Sequence, residues 1–297
     1  MIPQVSKMIN DIKSLRIQGA REVAKAGLEC FILTAKKSRA RNRNEFIKEI
    51  KNLAMALAKT RPTEPMLRNV MKNVLLKLNE YDGEKVKEVT VNVCSDELRR
   101  IDEALTRIAG IGAGQIRDGD VVLTHCHSHS VVAIFLEAKR QGRRFGVVVT
   151  ESRPRLQGLM TARKLLGAGI KVTYCVDSAV GWVMKGADKV LVGCDAILAD
   201  GSIANKIGTF PIALIANRFG VPFFVAGETL KFDAQTAMGT PEPIEQRDPG
   251  EIIDPKKLPS AKIINPAFDV TPAEYIHALI TEKGIMRPEV VRQGIEL

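Results

Sequence analysis

From Ile2 to about Gly112, apolar residues recur three and four positions apart, as in Ile9-Ile12-Leu15, Phe46-Ile47-Ile50-Leu53-Ala54 and Met71-Val74-Leu75. Such spacing lays an apolar stripe along a helix of 3.6 residues per turn, and strand-like alternation is scarce in this stretch. Breaks at Thr60-Arg61-Pro62-Thr63 and near Tyr81-Asp82-Gly83 divide it into four or five helices. A helical domain over residues 1–115 is predicted.

From Ile116 the period changes. Short apolar runs at Val121–Leu123, Gly146–Val149, Lys171–Val176, Lys189–Val192 and Pro222–Val225 alternate with helix-like stretches around Val131–Arg140, Leu156–Leu166, Ala179–Met184 and Lys206–Arg218. Short β-runs separated by helices are the signature of βαβ units, whose parallel strands are covered on both faces. The chain therefore reads as α/β: an N-terminal helical domain followed by a Rossmann-like, mostly parallel sheet domain over residues 116–297. No GxGxxG turn follows the first strand, so dinucleotide binding has no support. Beyond Phe232 loops dominate, at Gly239-Thr240-Pro241-Glu242-Pro243, Asp248-Pro249-Gly250 and Asp254-Pro255, before a last helix predicted from about Ala273 to Thr281.

With 297 residues, 45% of them hydrophobic, the chain can bury a core or two. A net charge of +10 agrees with an anionic partner, and equally with an ordinary charged surface. The densest basic run, Lys36-Lys37-Ser38-Arg39-Ala40-Arg41-Asn42-Arg43, joins two predicted helices. No aromatic residue interleaves with it to stack nucleobases, so it reads as a solvated linker and nucleic acid is not the expected partner. No uncharged apolar run approaches the ~18 residues that cross a membrane, and the N-terminus lacks a secretory pattern. A cytoplasmic protein is expected. Five scattered cysteines without a CxxC argue against a disulfide framework or a zinc knuckle.

The densest chemistry lies in Asp120–Val132, where the Val121–Leu123 run ends in Thr124-His125-Cys126-His127-Ser128 and a helix is predicted from near Ser130. Ligands of open parallel sheets gather at the carboxyl ends of strands, beside helix N-termini. His125, His127 and His129 alternate as a metal triad might on an extended backbone, but no HExxH or carboxylate partner accompanies them, which leaves packing, capping and hydrogen bonding as the preferred roles. Cys126 stands near a helix start and between imidazoles, which would favour a thiolate acting as base or nucleophile; a buried, inert thiol is the alternative. Asp195, directly after the Lys189–Val192 run, is a candidate general acid or a cap. Asn205-Lys206, Ser128 and Ser130, Arg61, and Glu228-Thr229-Leu230-Lys231 add the amides, hydroxyls and cations that an anionic, phosphorylated ligand requires.

Five segments in order then resemble one superfamily. They are Thr124-His125-Cys126-His127-Ser128, Thr150-Glu151-Ser152-Arg153-Pro154 with Gln157-Gly158, Gly193-Cys194-Asp195-Ala196-Ile197, Asn205-Lys206-Ile207-Gly208-Thr209, and Asn265-Pro266-Ala267-Phe268-Asp269-Val270-Thr271-Pro272. The chain is similar over nearly its whole length to the sugar-phosphate isomerases that share a superfamily with the regulatory subunits of eukaryotic translation initiation factor 2B. The His-Cys-His-Ser form most resembles the archaeal ribose-1,5-bisphosphate isomerases. The resemblance implies isomerisation of ribose 1,5-bisphosphate to ribulose 1,5-bisphosphate in AMP degradation, with Cys126 as proton acceptor and Asp195 as proton donor. It places substrate contacts on Gln18, Gly19, Ala20, Arg21, Arg61, Ser128, Asn205, Lys206 and Lys231. It implies no metal and no cofactor, a homo-oligomer built as a dimer or trimer of dimers, and leaves AMP open as an activator.

Two positions depart from the pattern. The N-terminal phosphate motif of the superfamily begins Arg-Gly-Ala, where this chain has Gln18-Gly19-Ala20-Arg21, and an expected Lys after His-Cys-His-Ser is His129. Gln cannot grip phosphate bidentately as Arg does, so Arg16 or Arg21 would have to supply the charge from another direction. The rival reading is a non-catalytic regulatory protein that binds a nucleotide or sugar phosphate, or an isomerase of a related ribose 1-phosphate. A regulatory protein has no need of a reactive Cys beside an Asp.

Overall fold

The structure, a computed structural model, describes residues 2–61, 64–238 and 244–293. Pro62, Thr63 and the predicted loop Gly239-Thr240-Pro241-Glu242-Pro243 lie outside the described residues. The chain divides into two compact units, residues 1–103 and 104–297, each described by itself below. Among the described residues no helix is long and apolar enough to cross a membrane.

The first unit is helical, as its period predicts: α1 (Pro3–Lys13), α2 (Ala20–Lys37), α3 (Arg43–Ala58), α4 (Pro65–Glu80) and the part of α5 (Val86–Ala113) up to residue 103. The three-and-four spacing becomes burial of Ile9 and Ile12 on α1, Phe46, Ile50 and Leu57 on α3, and Val70, Val74 and Leu78 on α4. Each such side chain contributes ~1.5–3 kcal/mol on leaving water. Gly27 lets α2 press against α4, since a Cβ there would stand 2.5 Å from Leu67 Cδ1. The basic run bridges α2 and α3, and Asn42 caps α3 by accepting from Glu45 N at 2.9 Å.

The second unit contains β1 (Val121–Thr124), α6 (His129–Arg140), β2 (Gly146–Thr150), α7 (Gly158–Gly167), β3 (Lys171–Cys175), the short α8 (Val180–Val183), β4 (Lys189–Gly193), β5 (Ala196–Leu198), β6 (Ile203–Lys206), α9 (Thr209–Phe219), β7 (Phe223–Ala226), β8 (Phe232–Asp233), β9 (Phe268–Thr271), β10 (Ala278–Thr281) and β11 (Gly284–Met286). Seven strands form one sheet in the order β11-β10-β7-β4-β1-β2-β3, parallel throughout except for β11. Alternate residues enter opposite cores, as a strand covered on both sides requires. Val122, Val147, Val149 and Leu191 pack with Ile134 and Phe135 of α6 and Leu165 of α7. Leu123, Val148, Val190 and Val192 pack with Val180, Met184, Ile212 and Ala216 on the other face.

Three sequence expectations are corrected. The last helix predicted from about Ala273 to Thr281 is a 3-10 turn at Ala273–Tyr275 followed by β10, which adds to the sheet beside β7. Ala278-Leu279-Ile280-Thr281 is buried on both faces, and so short an apolar run carries no period to separate strand from helix. The helix predicted over Lys206–Arg218 begins only at Thr209; Asn205 and Lys206 end strand β6 instead. That strand belongs to an unexpected second sheet in the order β8-β5-β6-β9, mostly antiparallel, made of two- to four-residue pieces.

Candidate active site

The strand order fixes where the chemistry collects. From β1 the chain steps outward to β2 and β3, then returns to lay β4 on the other side of β1, with Leu123 opposite Val190. Such a reversal opens a crevice at the carboxyl ends of the two strands. Cys126 follows β1 and Asp195 follows β4, so the two residues singled out in the sequence flank this switch point. Gly193 permits the approach: a Cβ there would stand 2.5 Å from the Oγ of Ser128. Ser128 itself caps α6, accepting from Val131 N.

The second sheet brings the cation. Asp195 N–H donates to Ala204 O at 2.9 Å, tying the turn after β4 to β6. Lys206 at the end of β6 is buried, its ammonium 4.9 Å from the Phe268 ring centroid. Asn205 donates to Thr209 Oγ1 at 2.9 Å. Asp269, opposite Asn205 on β9, accepts from Gly208 N at 2.7 Å and from Phe210 N at 3.2 Å, and so holds the N-terminus of α9. Burial pushes its carboxyl up to about 6, against the backbone N–H groups that pull the other way.

Lys231 completes the rim in a fully buried pair with Glu228, 2.9 Å apart, and Ser130 Oγ lies 3.4 Å from the same carboxylate. Burial works against the ammonium, but Glu228 outweighs it and holds Lys231 above its usual range. Arg247 had no signal in the sequence, since it sits in a proline-rich loop without period or motif. Its side chain is 6% exposed, 3.4 Å from Glu245 Oε1, and its charge acts on the Cys126 thiol.

Of the two readings the sequence leaves open for Cys126, burial favours the neutral thiol. Burial pushes the Cys126 thiol up to about 11, and Asp195 adds to the rise, while Lys206, the His127 N–H and Arg247 oppose it. The flanking imidazoles bring no positive charge, because burial lowers both: His125 is held neutral, and His127 falls to about 4. Their contacts are local. His125 Nε2–H donates to Ile207 O at 2.9 Å, His127 meets Thr161 Oγ1 at 2.9 Å, and the rings of His127 and His129 stack edge-on at 5.2 Å. Among the described residues no three His, Cys, Asp or Glu side chains come together as metal ligands. All five cysteines are free thiols.

The remaining predicted site residues lie in the helical unit. Gln18 and Gly19 form the turn before α2, Gly19 at a φ of 86°, and Ala20 is buried. Arg21 pairs with Glu22 and Asp102, whereas Arg16 is exposed and pairs with Asp11 at 3.0 Å. Arg61 is buried against Glu64 at 2.5 Å.

The sequence model of the initiation factor 2 subunit family matches residues 16–288. The chain belongs to that family. Among its relatives in the family, ribose 1,5-bisphosphate isomerase from Pyrococcus furiosus is 39% identical, with 97% of this chain and 92% of that protein covered. Methylthioribose-1-phosphate isomerase from Thermosipho africanus is 35% identical over 93% of this chain and 85% of its own length. A solved structure described as the Pyrococcus horikoshii translation initiation factor eIF-2B is 32% identical and superposes with a TM-score of 0.85, covering 97% of this chain and 98% of that one.

Proposed function

We propose that this protein is a sugar-phosphate isomerase that converts ribose 1,5-bisphosphate to ribulose 1,5-bisphosphate, with Cys126 and Asp195 as its acid–base pair. The observation that carries the reading is the placement of these two groups on either side of the switch point, in a chain whose relatives at about 40% identity bear that activity in their names.

The chemistry follows from one shared proton. With the thiol as thiolate and the carboxyl as acid, Cys126 Sγ takes the proton from C2 while Asp195 protonates the ring oxygen and the C1–O bond breaks. The enol so formed returns its hydroxyl proton to Asp195, and the Cys126 thiol delivers its proton to C1. The net change is one proton moved from C2 to C1 and one from the C2 hydroxyl to the former ring oxygen, with the ring opened and the pair restored. Burial disfavours the thiolate, and the positive charges of Lys206 and Arg247 favour it. Ser128, Asn205, Lys206 and Lys231 supply donors and charge to the phosphorylated sugar. Gln18, Gly19, Ala20, Arg21 and Arg61 are the further substrate contacts proposed from the resemblance. Cytoplasmic action, assembly as a dimer or trimer of dimers, and activation by AMP belong to the same reading.

The test is turnover of the purified protein on ribose 1,5-bisphosphate, with methylthioribose 1-phosphate as comparator, each with and without AMP. Wild type should form ribulose 1,5-bisphosphate, and Cys126→Ser and Asp195→Asn should each lose it by at least ~100-fold, as removal of a general acid or base does. A folded protein that turns over neither sugar would remove the isomerase reading and favour a binding role.

A further inference from the structure

Cys126 is held in a backbone conformation that its residue type resists. Among the described residues four non-glycine residues have left-handed φ, and two of them, Cys126 at 64° and Ser152 at 62°, are joined by a hydrogen bond. A side chain at positive φ crowds its own backbone, and where such residues cluster the surroundings must impose them. Here the surroundings can be named. Cys126 N–H donates to Ser152 Oγ at 2.7 Å, and Cys126 C=O accepts from Thr161 Oγ1 at 2.8 Å. Both amide groups of the one residue are thus taken by buried hydroxyls, one from the loop after β2 and one from α7.

Each hydroxyl is fixed in turn. Asp177 receives Ser152 N–H at 2.8 Å on one carboxylate oxygen and Arg153 N–H at 2.7 Å on the other. Ser152 Oγ also lies 3.2 Å from His125 Nδ1, which is 2.6 Å from Thr150 Oγ1. A carbonyl only accepts, so the Ile207 contact places the His125 proton on Nε2 and leaves Nδ1 to accept from these hydroxyls. His125 thereby bonds the strand end that carries the thiol to the residue after Lys206. Thr161 spends its own proton on Cys126 C=O, so His127 Nδ1–H donates to it.

We propose that Ser152 and Thr161, backed by Asp177 and His125, are positioning residues that hold the Cys126 thiol in the left-handed backbone from which it reaches the substrate. The inference rests on Cys126 being the proton acceptor of the proposed isomerase. None of the four donates or accepts the transferred proton; they set where Sγ stands among Asp195, Lys206 and Arg247, the charged groups that act on it.

The test uses Ser152→Ala, the isosteric Thr161→Val, and Thr161→Ser, which keeps the hydroxyl. Steady-state kinetics on ribose 1,5-bisphosphate should show kcat lowered on the order of 10- to 100-fold in Ser152→Ala and Thr161→Val, the penalty for misplacing a reacting group by about an ångström. KM should stay within about twofold, and Thr161→Ser should recover most of the rate, as expected for a lost hydroxyl contact. Crystal structures of the two deficient variants should show Cys126 released from positive φ. Wild-type kcat in both deficient variants, an equal loss in Thr161→Ser, or Cys126 still near 64° in their crystals would each overturn the proposal. If wild type itself turns over no ribose 1,5-bisphosphate, the functional reading fails, and the Cys126 backbone in the variant crystals still decides the positioning.

Discussion

Replacing Asp269 by Asn measures how far the fold works against its own carboxyl beneath α9. The folded value of about 6 stands above the ordinary 3.8. Between these values the native state binds more protons than the unfolded chain, so stability falls as pH rises. The contribution is fully present below 3.8 and lost as pH passes through about 6. At ~1.4 kcal/mol per pH unit the whole interval amounts to ~3 kcal/mol, of which ~2 kcal/mol is lost between pH 4.5 and 7.5. Asn keeps an oxygen for Gly208 N–H and cannot ionise, so it carries no such dependence. Urea unfolding of wild type and Asp269→Asn, followed by far-ultraviolet circular dichroism at pH 4.5, 6 and 7.5, isolates this group because every other carboxyl cancels in the difference. The stability of wild type relative to the variant should fall by ~2 kcal/mol across that range. A difference constant to within ~0.5 kcal/mol, or one that grows in favour of wild type with pH, would show that the helix N-terminus outweighs burial and would refute the reasoning.

Two further substitutions test packing and charge. Gly158→Ala puts a Cβ 1.8 Å from Thr150 O, a backbone atom that cannot step aside, so Tm should drop by roughly 6–12 °C, and an unchanged Tm would contradict the close approach of α7 to β2. Lys231→Met removes the cation paired with buried Glu228 and should cost ~3–5 kcal/mol, most of it regained in the double variant with Glu228→Gln; equal losses in the single and double variants would show that packing rather than charge is at stake.

The stripes of α1 to α4 repeat often enough to declare helix, and the short apolar runs Val121–Leu123 and Lys189–Val192 read as strands because helix-like stretches separate them, and with them the carboxyl ends that carry Cys126 and Asp195. The second sheet repeats nothing: its strands run two to four residues, and Ile203-Ala204-Asn205-Lys206 is buried at every position, so its pairing is written in tertiary contacts alone. The same holds for β10. The choice between a thiolate and a buried thiol at Cys126 could not be made from sequence, which shows the imidazoles beside the thiol but not the burial that lowers their affinity for protons. Arg247 reaches the site through a loop whose path no local rule specifies, and the bonds that Ser152 makes with Cys126 and Asp177 are tertiary contacts no local pattern shows.

The thiol arrives on the large sheet, while the amide of Asn205 and the ammonium of Lys206 arrive on the small one, with Asp195 in the turn between the two. Under the proposed function, the two sheets bring different parts of the site. The seven-stranded sheet with its two apolar cores holds most of the buried side chains of its unit, so its residues are constrained by packing. The four-stranded sheet shares Ile197 and Ile203 with one of those cores and adds a small cluster of its own, Ala196, Leu198 and Ala204. In the proposed isomerase, a change in the substrate accepted would fall on a handful of positions of the lesser sheet, while the larger sheet keeps the strand order that brings Cys126 and Asp195 to one crevice.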